Sequence, residues 1–322
     1  MKTILFTNRY KGRPLEIVES EVPEGFRIAF LSEQTQEALT REIADADYLL
    51  AGGRLKVTRE VLEHAGALRM IQRSGVGLDA LDLDAIREKG IPLYVNQGVN
   101  AESVAEHTLL LILASLRRLP EIDRNTKNGI WKKQEQGVRT AELKGKTVGV
   151  VGMGHIARIL VELLQPFHVR ILYYNRSRAD ASFERQYGLQ YVELSELLGR
   201  SDLVTLHCAL TEQTRNLIRA ETLAQMKPGA ILVNTARGLL VDCGALAEAL
   251  RSGRLSFAAL DVHTEEPIPA DYPLLELDNV ILTPHIAGVT ADSFRAMMHD
   301  ALGNIACFDQ GDLEAIASSR AL

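Results

Sequence analysis

An α/β protein of two doubly wound parallel-sheet domains is predicted by three features of the sequence. Short apolar runs of strand length alternate with helical patterns, the alternation falls into two blocks, and 322 residues exceed the usual size of one core. In the first block, strands are expected at Thr3 to Phe6, Tyr48 to Ala51, Leu68 to Gln72 and Leu93 to Val95, with helices near Thr35 to Ala46, Arg59 to His64 and Asp82 to Glu88. The second block places six strands at Thr147 to Val151, Arg170 to Tyr174, Leu203 to Leu206, Ala230 to Val233, Phe257 to Leu260 and Val280 to Leu282.

Between the blocks, Ala101 to Arg118 reads as a helix whose run Leu109 to Leu113 leaves almost no polar face, so it is expected to be buried all round. It is expected to lie between the two domains, to form a surface shared with a second subunit, or to do both. A last helix, from about Thr290 to Asp309, follows the final strand and has to return to the first block. The expected domains are therefore 1–99 plus 285–322, discontinuous, and an inserted domain at 100–284.

Composition excludes several classes of function. With 46% hydrophobic and 24% charged residues the chain is ordinary for a globular protein, and no apolar run approaches a membrane span. A formal net charge of -6 argues against nucleic acid or an anionic membrane as partner. The amino-terminal run Thr3 to Phe6 is too brief for a secretion signal, and a cytoplasmic location is expected. Cys208, Cys243 and Cys307 are odd in number and widely spaced, which suggests neither a disulfide framework nor a metal site.

The clearest motif runs from Val148 to Ala157, where a buried strand leads into Gly152-Met153-Gly154-His155-Ile156-Ala157 and a helix. In a dinucleotide-binding (Rossmann) turn, the first glycine permits the tight bend, the second lets backbone approach a pyrophosphate, and the small third residue allows close helix packing. An acidic residue about twenty positions on would accept the ribose hydroxyls of NAD. This chain has Asn175-Arg176-Ser177-Arg178 there, which would tolerate a 2′-phosphate that aspartate repels. NADP(H) is favoured, with NAD(H) possible; the alternative for the two arginines is a solvated surface loop.

Three charged residues follow the ends of later strands: Arg237, Glu266 and His285. Arginine presents a permanent fork that grips a carboxylate and polarises a carbonyl, while histidine titrates near neutral pH and can move a proton. A neighbouring carboxylate would orient the imidazole and favour its protonated form. Together with a hydride from a nicotinamide, these groups suit reduction of a 2-keto acid.

At these residues the chain resembles the D-isomer-specific 2-hydroxyacid dehydrogenase family over nearly its whole length. The matching stretches are Gly75 to Asp79, Asn100 to His107, the glycine turn, Asn234 to Gly238, Asp261 to Pro267 and Thr283 to His285. The resemblance implies a flavodoxin-like substrate domain carrying the inserted Rossmann domain, and a homodimer. Arg237 would then anchor the substrate, Glu266 would hydrogen-bond His285, and His285 would be the acid-base residue. Asp261 would contact the nicotinamide end, and His155, Ile156, His207, Cys208, Thr235, Ala236 and Ala287 would help line the cofactor site. The turn Ser74, Gly75, Val76 and Gly77, with Gly53, would hold the substrate carboxylate.

Departures from the family pattern narrow the substrate. Gly52 and Gly53 stand where phosphoglycerate dehydrogenases of the family commonly carry an Arg-Ser pair, and the chain stops at Leu322 with no regulatory extension expected. Glyoxylate or hydroxypyruvate is therefore the expected keto acid. A phosphoglycerate or phosphite dehydrogenase, or a dinucleotide-sensing corepressor, remains an alternative. Glu266 disfavours the formate branch, which resembles this one but uses glutamine there. His207-Cys208-Ala209-Leu210-Thr211 lacks the family's usual proline, removing a rigid constraint beside the cofactor.

Overall fold

The computed structural model describes residues 1–322, and its contacts divide the chain into two compact units. Met1–Asn100 with Val289–Leu322 form the first, and Ala101–Gly288 the second.

The first unit is built on a parallel sheet of β1 (Lys2–Phe6), β2 (Phe26–Phe30), β3 (Tyr48–Ala51), β4 (Met70–Arg73) and β5 (Leu93–Val95), in the order β2-β1-β3-β4-β5. That is the flavodoxin-like order. Successive side chains point to opposite faces, so Ile4, Phe6, Tyr48 and Met70 enter one core while Leu5, Leu49 and Ile71 enter the other. The helix Ala291–Gln310 closes the first of these cores with Phe294, Met298, Leu302 and Ile305. Its start is set by Thr290, whose hydroxyl accepts the Ser293 N–H at 3.0 Å.

Two elements of this unit were not expected from the sequence, β2 and the helix Arg13–Glu21. β2 is an edge strand that is largely half-exposed and carries Arg27, so it offers no continuous apolar run. The expected helix Thr35 to Ala46 is shorter, Gln36–Glu42, and tightens into a 3-10 turn over Ile43–Asp45.

The second unit holds seven parallel strands rather than six: β6 (Thr147–Val151), β7 (Arg170–Tyr174), β8 (Gln190–Tyr191), β9 (Leu203–Leu206), β10 (Ala230–Asn234), β11 (Leu255–Leu260) and β12 (Val280–Leu282). The added strand, β8, is a two-residue edge and too short to announce itself. The order is β12-β11-β10-β9-β6-β7-β8, so chain direction across the sheet reverses between β6 and β9. Crevices at such switch points, beyond the carboxyl ends of the strands, are where open α/β sheets bind ligands.

Val151, Val204, Leu232 and Ala258 fill the core on one face of this sheet, and Val150, Tyr173, Val233 and Phe257 that on the other. The helix Ala101–Leu116 covers the second face with Ala105, Leu111 and Ile112. It is not buried all round, because Leu110 keeps 54% of its surface exposed. The unit extends to Gly288, four residues past the expected boundary, since the backbone N–H groups of Ile286 and Ala287 bond to Asp261 within it. No helix in the chain is long and apolar enough to cross a membrane.

Candidate active site

The glycine turn follows β6 directly. Gly152 has φ +96°, and a side chain there would stand 2.6 Å from the His207 carbonyl carbon and the Cys208 amide nitrogen. Only glycine fits this close approach of two strand ends. Gly154 caps the ten-residue helix His155–Leu164 without a side-chain partner and has open space around its Cα. The first-turn N–H groups of that helix are thus available to an anion, which fits a dinucleotide pyrophosphate. Ala157 is fully buried, as close helix packing requires.

At the end of β7, Asn175 supports the turn itself: its side-chain oxygen accepts the Met153 N–H at 3.4 Å, and its amide donates to the Ser177 carbonyl at 2.8 Å. Arg176 and Ser177 are exposed. Arg178 departs from expectation, because two of its nitrogens bind Glu184 at 2.8 and 2.9 Å. Arg178 and then Tyr173 hold the Glu184 carboxylate down to about 2. Arg178 therefore braces the fold behind the loop, leaving Arg176 as the cation available there.

His207, at the end of β9, hydrogen-bonds Thr205 at 2.9 Å. Some of its surface stays accessible, but enclosure of the ring by protein pushes its pKa down to about 4, so it is neutral at ordinary pH. Burial pushes the neighbouring Cys208 thiol up to about 11, which leaves it unreactive.

The charged trio owes its assembly to strand register. β10 pairs with β11 so that Asn234 lies opposite Leu260, and β11 with β12 so that Leu260 lies opposite Leu282. Arg237, Glu266 and His285 thus leave three adjacent, level strand ends. Asn234 shapes the first turn, accepting the Ala236 N–H at 3.0 Å and donating to the Arg237 carbonyl at 2.8 Å. Arg237 is half-buried, with one guanidinium nitrogen on the Ala236 carbonyl at 2.7 Å. Thr235 is buried against Thr108, their hydroxyls 2.9 Å apart.

His285 Nδ1 lies 2.8 Å from a Glu266 oxygen. The other Glu266 oxygen accepts the His263 N–H at 3.0 Å. Partial burial opposes ionisation of Glu266, but these two hydrogen bonds prevail and hold its carboxyl below the usual range. An ionised Glu266 can only accept, so Nδ1 carries a proton and Nε2 is the ring nitrogen left for proton exchange.

His285 sits at φ +55°, a conformation that costs a non-glycine residue and persists only where the surroundings impose it. Asp261 does so. One of its oxygens accepts the Thr283 hydroxyl at 2.5 Å and the Ile286 N–H at 2.9 Å, and the other the Ala287 N–H at 2.8 Å. Asp261 has no accessible surface of its own and shapes the site through this turn. The Ala287 N–H is likewise committed to Asp261.

Sequence reasoning missed three contributors. His107 places Nε2 3.3 Å from the Thr283 hydroxyl and 3.7 Å from Asp261, and His263 donates from Nε2 to the Thr283 carbonyl at 2.9 Å. His107 lies within a helix and His263 among loop residues, so neither carries a signal of its own. In the first unit, buried Arg73 reaches from β4 to the Gly77 carbonyl at 2.7 Å and the Ala51 carbonyl at 2.9 Å, bracing the turn Ser74 to Gly77. An arginine closing a strand beside two glycines was the available signal. Gly52 in the same unit has no room for a side chain, since its Cβ would meet the Asn8 amide at 2.4 Å.

Comparison with known proteins agrees with this geometry. Residues 109–287 match the family described as D-isomer specific 2-hydroxyacid dehydrogenase, NAD binding domain. A glyoxylate reductase of Thermofilum pendens is 39% identical over 281 residues, covering 87% of this chain and 83% of that one. A D-3-phosphoglycerate dehydrogenase of Methanocaldococcus jannaschii is 42% identical over 283 residues, and there the match spans 87% of this chain but only 52% of the relative. Among solved structures, D-lactate dehydrogenase from Aquifex aeolicus, complexed with NAD and lactic acid, superposes with a TM-score of 0.88 at 29% identity over 99% of both chains. By its sequence and its fold, the chain belongs to the D-isomer specific 2-hydroxyacid dehydrogenase family.

Proposed function

We propose that this chain reduces a small 2-keto acid, glyoxylate or hydroxypyruvate, to the D-2-hydroxy acid with NADPH. The observation that carries the reading is the 2.8 Å contact between His285 Nδ1 and Glu266, set beside Arg237 by the level ends of β10, β11 and β12.

A nicotinamide dinucleotide held at the turn after β6 would supply the hydride. Addition at the carbonyl carbon puts negative charge on its oxygen, and Arg237 stabilises that charge while gripping the substrate carboxylate. His285 Nε2 delivers the proton to the same oxygen, and Glu266 keeps the imidazole oriented. Backbone N–H groups of Ser74 to Gly77 take the substrate carboxylate in this reading, with Arg73 keeping their turn in shape. Gly52 and Gly53 favour an unphosphorylated substrate, because neither supplies a cation. Gly152, Gly154, His155 and Ile156 serve the pyrophosphate, and Asn175, Arg176 and Ser177 the 2′-phosphate of NADPH. His207, Cys208, Thr235, Ala236 and Ala287 line the remaining cofactor crevice.

The same reading includes a homodimer in the cytoplasm. Leu110, Leu119, Trp131 and Val138 are large apolar residues within one stretch, and Trp131 and Val138 are 81% and 82% exposed. Large apolar side chains this exposed favour burial against a second copy.

Steady-state kinetics with glyoxylate, hydroxypyruvate, pyruvate and 3-phosphohydroxypyruvate, each with NADPH and NADH, test the assignment. The highest kcat/KM is expected with glyoxylate or hydroxypyruvate and NADPH. Turnover confined to the phosphorylated acid would replace this substrate assignment, and cofactor binding without turnover on any acid would replace the enzyme with a sensor.

A further inference from the structure

The second unit contains a cavity of about 140 Å³ far from the trio in the sheet's own geometry. Its walls come from the amino-terminal ends of strands: Lys146 precedes β6, Asp202 precedes β9, Lys227 precedes β10 and Phe257 lies early in β11. The glycine turn and the charged trio all lie at the carboxyl ends of those same strands. The end of the helix Ala101–Leu116 contributes Ser115 and, just beyond it, Arg118, and Arg139 completes the rim.

The charge in this cavity is unbalanced. Arg118 and Arg139 share one carboxylate, Glu121, each at 2.7 Å, and Lys227 pairs with Asp202 at 2.5 Å. Lys146 adds to the field that lowers Asp202 but makes no ion pair of its own. Four cations therefore meet two carboxylates, an excess of two positive charges. Arg118 is also fixed in place, stacked over the Phe257 ring at 5.7 Å, with its Nε on Glu121 and the rest of its fork free of carboxylate.

Ser115 is 2% exposed, and its hydroxyl has no hydrogen-bond partner. Native structures rarely keep a buried hydroxyl unpaired. An oxyanion in the cavity would neutralise Lys146 and Arg118 together.

We infer that this cavity binds a compact dianion through its phosphoryl group, either inorganic phosphate or a small phosphate ester. The volume suits a phosphoryl group with a short carbon appendage, the planar arginine fork matches two of its oxygens, and its charge equals the excess. The site is separate from the cofactor's pyrophosphate site, which uses backbone N–H groups at the opposite end of the sheet.

Calorimetric titration of the full chain with inorganic phosphate at pH 8, with and without saturating NADPH, tests the inference. One phosphate per chain is expected to bind in both conditions, and to raise the melting temperature as any ligand of the folded state does. Lys146→Gln removes a charged partner at the surface and should weaken binding by roughly tenfold or more. The cofactor-loop variant Arg176→Ala should leave it unchanged. Keto-acid reduction without phosphate should be the same in Lys146→Gln as in the parent. Displacement of phosphate by glycerol phosphate would identify an ester as ligand, and its failure the free anion; each agrees with a phosphoryl site. Absence of binding at ~10 mM phosphate, abolition by NADPH, or equal affinity in Lys146→Gln would overturn it.

Discussion

Gly238 touches the backbone of His263 so closely that a methyl group on it would stand 2.0 Å from the His263 carbonyl. This contact joins the turn carrying Arg237 to the loop carrying Glu266, and so to His285. Gly238→Ala must push the loop away, at a cost of about 1–3 kcal/mol for overpacking. Because a shift of about 1 Å in a reacting group can cost ~100-fold in rate, kcat should fall by that order while the chain stays folded. A melting curve and keto-acid kinetics on one preparation check both parts; unchanged kinetics would show that this contact does not position the loop.

Replacing His285 with Ala should lower turnover by ~100- to 10,000-fold, with cofactor binding largely retained. Arg237→Lys should impair both KM and kcat, because an ammonium cannot make the planar two-pronged contact. Normal kinetics in either variant would remove that residue from the scheme.

Glu266 accepts the hydrogen bond from His285 Nδ1 and so fixes the ring. In Glu266→Gln the side-chain amide can turn a donor toward Nδ1, so the ring is no longer held in one orientation and kcat should fall by ~100-fold with cofactor binding retained. Unchanged turnover would assign Glu266 to packing alone.

Arg176 and Arg178 are two residues apart but should behave differently. Arg176→Ala should reduce kcat/KM for NADPH by roughly ten- to a hundredfold, the usual loss for one charge-assisted hydrogen bond, and leave NADH unaffected. Arg178→Ala leaves buried Glu184 without its cation and should instead lower the melting temperature. An equal loss of NADPH preference in both would mean that Arg178 leaves Glu184 when cofactor binds.

In the first unit, Asp309 accepts hydrogen bonds from Tyr48 at 2.6 Å, Arg69 at 2.5 Å and Lys2. Burial opposes its ionisation, but these partners prevail and hold its pKa down to about 2, against an ordinary value of 3.8. A depressed carboxylate pKa stabilises the fold above the unfolded value, and the contribution disappears as pH falls from about 4 to about 2. Asp309→Asn should therefore melt lower than the parent at pH 7, with the gap closing at pH 2. A gap independent of pH would exclude the ionised carboxylate as its cause.

Features that repeat a pattern along the chain are legible in the sequence itself. The strands Tyr48–Ala51, Thr147–Val151, Arg170–Tyr174 and Leu203–Leu206 occur where their apolar runs lie, because a parallel strand covered on both faces needs an unbroken run. β2 and β8 are not legible, since an edge strand is half-exposed or too short to carry that signal. Glu266 and His285 stand out by strand-end position and chemistry, yet His107 does not, because its partners Thr283 and Asp261 are distant in sequence.

Local spacing settles the two-block α/β architecture, the glycine turn at Gly152 and the identity of the three charged residues. Assembly in three dimensions decides that Arg178 serves Glu184, that Asp261 builds the His285 turn and that Lys146 and Arg118 border one cavity. Those outcomes rest on which strand ends come level and which groups are denied water. Neither is encoded in any one segment, because burial and register arise only when the sheet assembles.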